Sequence, residues 1–281
     1  MFGMRIAGLM GSAALAVLVG FATPAVAADA PKVKAAEAYV VDSAGTIHFG
    51  KRQTRRVPVA SLVKVMTAYV VLREGRLTDT ITVTEADVKD AVREGATTAG
   101  LRAGERLTVR DLLHGLLLPS GADAASALAR RYGPGKTAFV AKMNRTARAL
   151  GLADTRYTNA DGMPTPGNGG YSTAADQVRL AQRALANSTF QAMVGARTYK
   201  VGKTAVHRAH TWRNSNELLS RSADVLGVKT GYTRAAGYCL LFAAERNGVQ
   251  IVGALLHDGK DGRFTTAERL LDYAARRIAE G

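Results

Sequence analysis

The chain has 281 residues, of which 47% are hydrophobic and 22% charged, and this balance excludes an intrinsically disordered protein because it supplies a sizeable core. A formal net charge of +15 favours partners that carry negative charge, such as nucleic acid, anionic lipid or an acidic wall polymer. The single cysteine, Cys239, excludes an internal disulfide, and we expect it to pack in a buried strand.

Residues 1–27 have the pattern of a secretory signal peptide. Arg5 supplies a positive start, residues 6–22 are apolar, and residues 25–27 end the segment with Ala-Val-Ala. We expect cleavage after residue 27, with an uncleaved membrane anchor as the alternative because the apolar run is almost long enough to span a bilayer. Cleavage would leave 37 basic and 23 acidic residues, a net charge of +14. Export argues against nucleic acid as the partner, and a generally basic surface without a specific partner is the alternative.

The first structured segment predicts a β-hairpin followed by a helix. Residues 37–42 and 46–51 are rich in β-forming side chains and flank a short Ser-Ala-Gly turn. Residues 57–72 form a longer apolar run that fits a helix better than a strand. Lys64 is the only charged residue of that run, so we expect the helix to be buried on nearly every side.

The middle of the chain is predicted to be mostly helical. Four helices are predicted, at residues 108–119, 122–132, 136–150 and 173–187. The first and the last open with a threonine followed three residues later by an aspartate, the pattern of a capping box. Residues 159–171 contain two prolines and four glycines and are predicted to form a loop.

Strand patterns return near the end of the chain. Short apolar runs punctuated by glycines predict strands at residues 225–230, 238–244 and 249–257, and residues 264–278 form an amphipathic helix. We expect the strands from both ends of the chain to meet in one sheet. The helical middle, about residues 62–196, would then be an insertion.

Ser61 and Lys64 are the first residues that indicate chemistry. A buried ammonium group needs a partner, and Ser61 lies three residues earlier on the same helix face, where the amine can reach its hydroxyl. Desolvation lowers the pKa of a lysine, so Lys64 could accept the serine proton near neutral pH. The start of the helix also favours negative charge at Ser61. The spacing occurs by chance in many proteins, and Lys64 could instead extend to the surface along its own stem.

Two further segments strengthen the catalytic interpretation. Residues 119–121, Pro-Ser-Gly, place Ser120 at a helix end, where its hydroxyl can point into a cleft. Residues 228–231, Val-Lys-Thr-Gly, place Lys229 and Thr230 at the end of a strand whose glycine lets a ligand approach closely. The three segments together form a specific pattern.

In order and spacing these segments resemble the low-molecular-mass penicillin-binding proteins, the serine D-alanyl-D-alanine carboxypeptidases. The likeness extends from about Ala38 to the C-terminal helix and includes Gly-Tyr-Ser-Thr at residues 170–173. It implies an α+β, penicillin-binding/serine β-lactamase-like fold with a mainly antiparallel sheet, flanking helices and a helix-rich inserted subdomain. It also implies an exported enzyme with residues 28–281 as its catalytic domain. This enzyme would remove the terminal D-alanine of peptidoglycan stem peptides and be acylated by β-lactam antibiotics.

The resemblance implies a catalytic role for several residues. Ser61 matches the acylated nucleophile and Lys64 its base. Ser120 matches the serine that relays a proton to the departing D-alanine. The backbone N–H groups of Ser61 and Tyr232 would hold the oxyanion.

The resemblance also implies which residues bind the terminal carboxylate of the substrate. Lys229 and Thr230 match these groups, and Lys229 would lower the pKa of Lys64 by repulsion between like charges. Arg263, just before the last predicted helix, matches an arginine that assists carboxylate binding. A position in a solvated turn is the alternative for Arg263.

The middle motif departs from the family pattern. The motif usually ends in asparagine, but here Ser120 and Gly121 are followed by Ala122, whose side chain offers neither donor nor acceptor. A hydrogen bond to the lysine and to the substrate amide is therefore expected to be missing or supplied by water. This change affects rate and substrate preference more than the type of reaction.

Two alternative functions remain open, and a third, that of a β-lactamase, is disfavoured. A related β-lactamase needs a carboxylate in a Glu-x-x-Leu-Asn setting, and no such segment lies between residues 151 and 196, so slow hydrolysis of the penicilloyl ester is expected. A D,D-endopeptidase acting on peptidoglycan cross-links would use the same site. A non-catalytic wall-binding protein would explain the basic charge, with Ala122 as its only support.

No cofactor and no metal are predicted. His207 and His210 lie three residues apart, but no third ligand or HExxH segment accompanies them, which argues against zinc. The expected partners are the stem peptide and β-lactams, with possible association with an anionic wall or membrane surface, and not nucleic acid.

Overall fold

The structure is a computed structural model that describes residues 30–165 and 169–280. The predicted signal peptide, residues 1–27, lies outside the described residues. The strands are β1 (Glu37–Asp42), β2 (Ile47–Lys51), β3 (Thr80–Thr82), β4 (Arg106–Thr108), β5 (Thr198–Val201), β6 (His210–Arg213), β7 (Val225–Thr233), β8 (Gly237–Arg246) and β9 (Val249–Asp258). The α-helices are α1 (Val63–Glu74), α2 (Glu85–Arg93), α3 (Val109–Leu117), α4 (Ala122–Tyr132), α5 (Lys136–Ala149), α6 (Ala174–Leu185), α7 (Ser188–Gly195), α8 (Leu218–Arg221) and α9 (Gly262–Glu280).

A five-stranded antiparallel sheet organises the fold. Its order is β2-β1-β9-β8-β7, so strands from both ends of the chain meet where Ala38 of β1 lies opposite Leu255 of β9. The prediction of an α+β fold with a mainly antiparallel sheet flanked by helices is confirmed. Among the described residues, no helix combines the length and the apolar character needed to cross a bilayer.

The central strands are buried on both faces of the sheet. Along β8, Cys239 and Leu241 pack with the helices of the middle of the chain, whereas Leu240 and Phe242 pack against α9. Burial raises the pKa of the Cys239 thiol to about 12, in keeping with its predicted packing role. Burial on both faces explains why these strands are continuous apolar runs in the sequence.

The first predicted helix begins later than the sequence indicated. Val57 forms an isolated bridge with Ser172, and Ala60–Leu62 form a single 3-10 turn before α1 starts at Val63. Residue 57 precedes a proline, which disfavours the helical conformation for it, and Ala60 has a φ of 49°, outside the right-handed helical region. The chain therefore enters α1 through a tight turn, and Ser61 lies in that turn.

The four predicted helices of the middle are present as α3 to α6, but the shorter elements were missed. The strands β3, β4, β5 and β6 have three or four residues each and pair as two small two-stranded sheets. Such short strands show no hydrophobic period. Helix α2 was also missed, although it opens with a capping box between Thr84 and Asp87.

Candidate active site

The predicted catalytic segments meet at β7, an edge strand of the sheet. The 3-10 turn that carries Ser61 packs against this strand. A side-chain Cβ on Gly231 would lie 3.1 Å from the backbone nitrogen of Ser61 and 3.2 Å from the carbonyl oxygen of Val59. We expected Gly231 to make room for a ligand, but it makes room for the turn that holds Ser61.

Ser61 and Lys64 are in direct contact. Lys64 Nζ lies 2.9 Å from Ser61 Oγ and donates a second hydrogen bond to the carbonyl oxygen of Asp161 at 2.7 Å. The lysine side chain is only 2% exposed, so the alternative in which it extends to the surface is wrong. Burial lowers the pKa of Lys64 to about 8, while the charges of Asp161 and Asp123 act to raise it. A neutral fraction near pH 7 can accept the Ser61 proton.

Ser120 lies in the loop between α3 and α4. Ser120 is 8% exposed, and its Oγ is buried without a hydrogen-bond partner among the described residues. Its φ of 70° falls in the left-handed region, which is uncommon for a residue other than glycine. A buried and unpaired hydroxyl on a strained backbone is a feature found at functional sites.

Lys229 is the second buried lysine of the cleft. Its Nζ donates to the carbonyl oxygen of Thr230 at 3.0 Å. Burial lowers the pKa of Lys229 well below its usual value, and the positive charges of Lys64 and Arg263 lower it further. We expected this repulsion to depress the pKa of Lys64, but burial does so, and the repulsion acts on Lys229. A bound carboxylate would favour the charged form of Lys229.

Arg263 lies in the first turn of α9, so its predicted alternative position in a solvated turn is wrong. The guanidinium carbon lies 4.9 Å from the ring centre of Tyr238 and 4.5 Å from that of Phe264. Its Nε and Nη1 atoms are buried and have no partner among the described residues. Tyr232, 54% exposed, stacks on Tyr238 with 4.2 Å between ring centres. Unpaired buried donors beside Lys229 suit an anionic ligand group.

Two residues of the site were missed in the sequence. Ser215 Oγ lies 2.6 Å from Thr230 Oγ1, and the Ser215 N–H donates to the carbonyl oxygen of Leu118 at 3.1 Å. Through these two contacts, Ser215 connects β7 with the loop in which Ser120 lies. Asp123 is fully buried and accepts hydrogen bonds from the loop N–H groups of residues 99 and 101. A lone aspartate in an apolar helix could have indicated this role, whereas Ser215 stands in no motif.

The histidines considered as metal ligands lie on the hairpin of β5 and β6. His210 Nε2 is 3.1 Å from a carboxylate oxygen of Glu105, and His207 Nδ1 is 3.0 Å from the carbonyl oxygen of Arg208. Within residues 30–165 and 169–280, no group of three or more histidine, cysteine, aspartate or glutamate side chains is placed to hold a metal ion.

The chain matches the D-alanyl-D-alanine carboxypeptidase family over residues 24–259. It belongs to this family. It is 38% identical over 267 residues to the D-alanyl-D-alanine carboxypeptidase of Streptomyces sp. (strain K15). The aligned region covers 90% of this chain and 91% of that relative. The crystal structure of the D,D-transpeptidase from the same strain has a TM-score of 0.82 at 36% identity, covering 86% of this chain and 97% of that chain. The D-alanyl-D-alanine endopeptidase of Pseudomonas aeruginosa is 32% identical over 237 residues, and the aligned region covers 80% of this chain and 72% of that relative.

Membership of the D-alanyl-D-alanine carboxypeptidase family makes the alanine of the middle motif informative. Ala122 is buried at the start of α4 and lines a cavity of about 250 Å³ together with Glu94 and Asp161. We expected a hydrogen bond to Lys64 to be missing or supplied by water. In the structure Lys64 Nζ donates to the carbonyl oxygen of Asp161, and Ala122 offers it no acceptor.

Ala122→Asn is expected to raise the rate of acylation about fivefold, because Lys64 Nζ makes two of its three possible hydrogen bonds with described residues and one more is worth about 1 kcal/mol. The cavity beside Ala122 supplies space, so the usual cost of overpacking, about 1–3 kcal/mol, should be small. Acylation rates with one penicillin and one D-Ala-D-Ala peptide measure the effect. Ala122→Val is the control, because it adds volume without polar atoms. A clear loss with both substrates in the asparagine variant would contradict the prediction.

Proposed function

We propose that this family member is a serine D,D-carboxypeptidase that removes the terminal D-alanine of peptidoglycan stem peptides through an acyl-enzyme on Ser61. The contact of 2.9 Å between Ser61 Oγ and the buried Lys64 Nζ carries the proposal. Ser61 Oγ attacks the carbonyl carbon of the penultimate D-alanine while Lys64 takes its proton. The N–H groups of Ser61 and Tyr232 stabilise the oxyanion.

Collapse of the tetrahedral intermediate breaks the peptide bond and completes the ester on Ser61. Ser120 relays a proton to the leaving nitrogen of D-alanine, a role that its buried, unpaired hydroxyl supports. Water then attacks the ester carbonyl, which releases the shortened peptide and regenerates the Ser61 hydroxyl. A β-lactam would form the same type of ester on Ser61.

The terminal carboxylate is proposed to bind between the edge strand and the start of α9. Lys229, Thr230 and Arg263 supply the donors, and the buried nitrogens of Arg263 that lack a partner among the described residues support this placement. Ser215 orients the Thr230 hydroxyl through their contact of 2.6 Å. A carboxylate here fixes the scissile bond between Ser61 and Ser120.

We further propose that residues 1–27 direct export and that residues 28–281 form the catalytic domain, with residues 62–196 as its helix-rich insertion. Family membership and the A-x-A pattern support export. A net charge of +14 after cleavage would promote association with anionic wall polymers or membrane surfaces.

Recognition of a free carboxylate leads to a test of the proposed reaction. A stem pentapeptide ending in D-Ala-D-Ala should lose one D-alanine, and amidation of its terminal carboxylate should slow turnover roughly 10- to 100-fold, the scale of a lost charge-assisted contact. Mass spectrometry of the products, with the unmodified peptide as control, measures both rates. Equal rates on the two peptides would contradict a carboxypeptidase that reads the free carboxylate.

Endopeptidase activity on cross-links is the second candidate, since a relative from Pseudomonas aeruginosa bears that name. Both reactions pass through the same acyl-enzyme and differ in the amine that leaves. A mixture of a pentapeptide monomer and a cross-linked dimer lets the two substrates compete for one enzyme. Faster loss of the dimer would favour the endopeptidase.

A further inference from the structure

The hairpin of β5 and β6 has one face toward the protein and one toward solvent. Tyr199 and Trp212 lie on the inner face, where Trp212 Nε1 donates to the carbonyl oxygen of Ala99 at 2.8 Å. The alternate residues Lys200 and Arg213 are exposed on the outer face. Arg213 lies two residues beyond the strand partner of Lys200, so the two are diagonal neighbours about 7–8 Å apart. The outer face therefore brings two cations close together.

The protein itself leaves the positive charge of this hairpin largely unpaired. Residues 197–213 contain five lysines and arginines and no aspartate or glutamate. One of the five, Arg208, forms an ion pair, with 3.6 Å between its Nε and a carboxylate oxygen of Glu105. The other four are exposed and form no ion pair within the described part of the chain: Arg197, Lys200, Lys203 and Arg213.

The carboxylates that contact the hairpin do so from its inner side. Glu105, which precedes β4 and is 7% exposed, accepts a hydrogen bond from the Arg208 N–H and lies 3.1 Å from His210 Nε2. Asp111 of α3 is 9% exposed and accepts a hydrogen bond from the Tyr199 hydroxyl at 2.8 Å. These acids hold the hairpin to the body of the protein and leave its exposed cations available to an anionic ligand.

The shape of the outer face fits a linear polyanion better than a flat bilayer. The sheet is only two strands wide, and strands lie about 4.8 Å apart, so its charges follow a narrow strip. The exposed hydroxyls of Thr198 and Thr211 lie on the same face and supply hydrogen-bonding groups between the cations. Binding at a membrane interface gains strength from buried apolar area, and Val206 is the one large hydrophobic side chain exposed on the described hairpin.

We propose that the outer face of this hairpin is a docking surface for a linear phosphodiester polymer of the cell wall, in which polyol units alternate with phosphates. The proposal rests on the proposed export of the protein to the wall space. Each repeat of such a polymer carries a negative charge for Lys200 or Arg213 and hydroxyls for the threonines. Release of counterions from the polymer supplies much of the affinity. The surface shares no residue with the proposed catalytic site.

Fluorescently labelled polyglycerol phosphate of defined length is the probe, and fluorescence anisotropy at several salt concentrations measures its dissociation constant. Lys200→Thr combined with Arg213→Thr should weaken binding roughly tenfold, the combined scale of two exposed charge contacts. The slope of log K against log salt should fall by about 1–2, because two phosphate contacts are lost. Threonine is chosen because it suits an exposed strand position. Lys203→Ser, in the loop between the strands, should weaken binding about threefold.

Arg269→Gln combined with Arg276→Gln is the matched control. It removes two positive charges from exposed residues of α9 that form no ion pair with a described residue. This variant should bind the polymer as the wild type does, and all variants should keep the wild-type melting temperature. Equal weakening in the two double variants would mean that net charge alone attracts the polymer and would overturn the docking surface. Failure of the wild type to bind at low salt would do the same.

Two further probes distinguish the polymer from other polyanions. Vesicles that contain phosphatidylglycerol represent a membrane, and single-stranded DNA of the same charge represents nucleic acid. Tighter binding of either probe than of polyglycerol phosphate, with the same dependence on Lys200 and Arg213, would overturn the assignment to a wall polymer. Ser61→Ala should bind the polymer as tightly as the wild type, so a wild type that releases no D-alanine would refute the proposed reaction without affecting this assay. Detection of the chain in the cytosol alone would refute the proposed export.

Discussion

Ser61→Ala is expected to abolish both penicillin acylation and D-alanine release. Removal of a covalent nucleophile costs on the order of 10⁴- to 10⁶-fold in rate, and the chain offers no second hydroxyl in contact with Lys64 among the described residues. Covalent labelling with a fluorescent penicillin and release of D-alanine from a pentapeptide measure the two activities. Retention of even a few per cent of either activity in a clean preparation would contradict the assignment of the nucleophile.

The loss of activity in Ser61→Ala should come from the missing nucleophile and not from a change of fold. Ser61 Oγ contacts Lys64, and without it the ammonium group keeps its hydrogen bond to the carbonyl oxygen of Asp161, so no buried charge is left without a partner. Ser43→Ala, in the exposed turn between β1 and β2, is the matched control and should keep full activity. Equal melting temperatures of the two variants and the wild type would show that the fold is retained.

The sheet could be predicted because its strands are runs of five to ten residues, most of them largely buried, that differ clearly from the helical middle. The sequence analysis predicted that strands from both ends of the chain meet in one sheet, but it did not predict that β1 pairs with β9. The two small two-stranded sheets were not predictable, since strands of three or four residues show no hydrophobic period. The late start of α1 was not predicted, because the bridge between Val57 and Ser172 joins segments that are far apart in the sequence.

Most residues of the cleft that act through their side chains could be predicted from the sequence, whereas contacts made by the backbone could not. Ser61, Lys64 and Lys229 stand in motifs because the proposed reaction requires their side-chain chemistry. The hydrogen bond from Lys64 to the carbonyl oxygen of Asp161 could not be predicted from the sequence. Any residue type supplies a backbone carbonyl, and the two residues are 97 positions apart. Ser215 likewise depends on a turn that brings it within 2.6 Å of the Thr230 hydroxyl.

Lys64→Arg is expected to collapse acylation while the fold survives. Arginine keeps the positive charge but does not deprotonate at any working pH, so the Ser61 proton has no acceptor. A loss of at least about 10²- to 10⁴-fold, the usual contribution of a general base, is expected in the rate of penicillin acylation. Lys64→Met is the matched variant, because it fills a similar volume without a buried charge and should lose activity to the same extent. Wild-type acylation in either variant would mean that another group is the base.

The pH dependence of acylation should identify the same base in the unmodified protein. Burial lowers the pKa of Lys64 to about 8, so its neutral form, which accepts the proton, is scarce at pH 6 and predominant at pH 9. The acylation rate should therefore rise roughly ninefold between pH 6 and pH 7 and roughly fivefold between pH 7 and pH 8, roughly fiftyfold in all, and level off above pH 9. A penicillin suits the measurement because its carboxylate stays ionised throughout this range. The arginine and methionine variants should lack the rise, since neither has a group at this position that titrates there. A flat wild-type profile, or a rise that persists in both variants, would show that a group other than Lys64 is the base, despite the contact between Lys64 and Ser61.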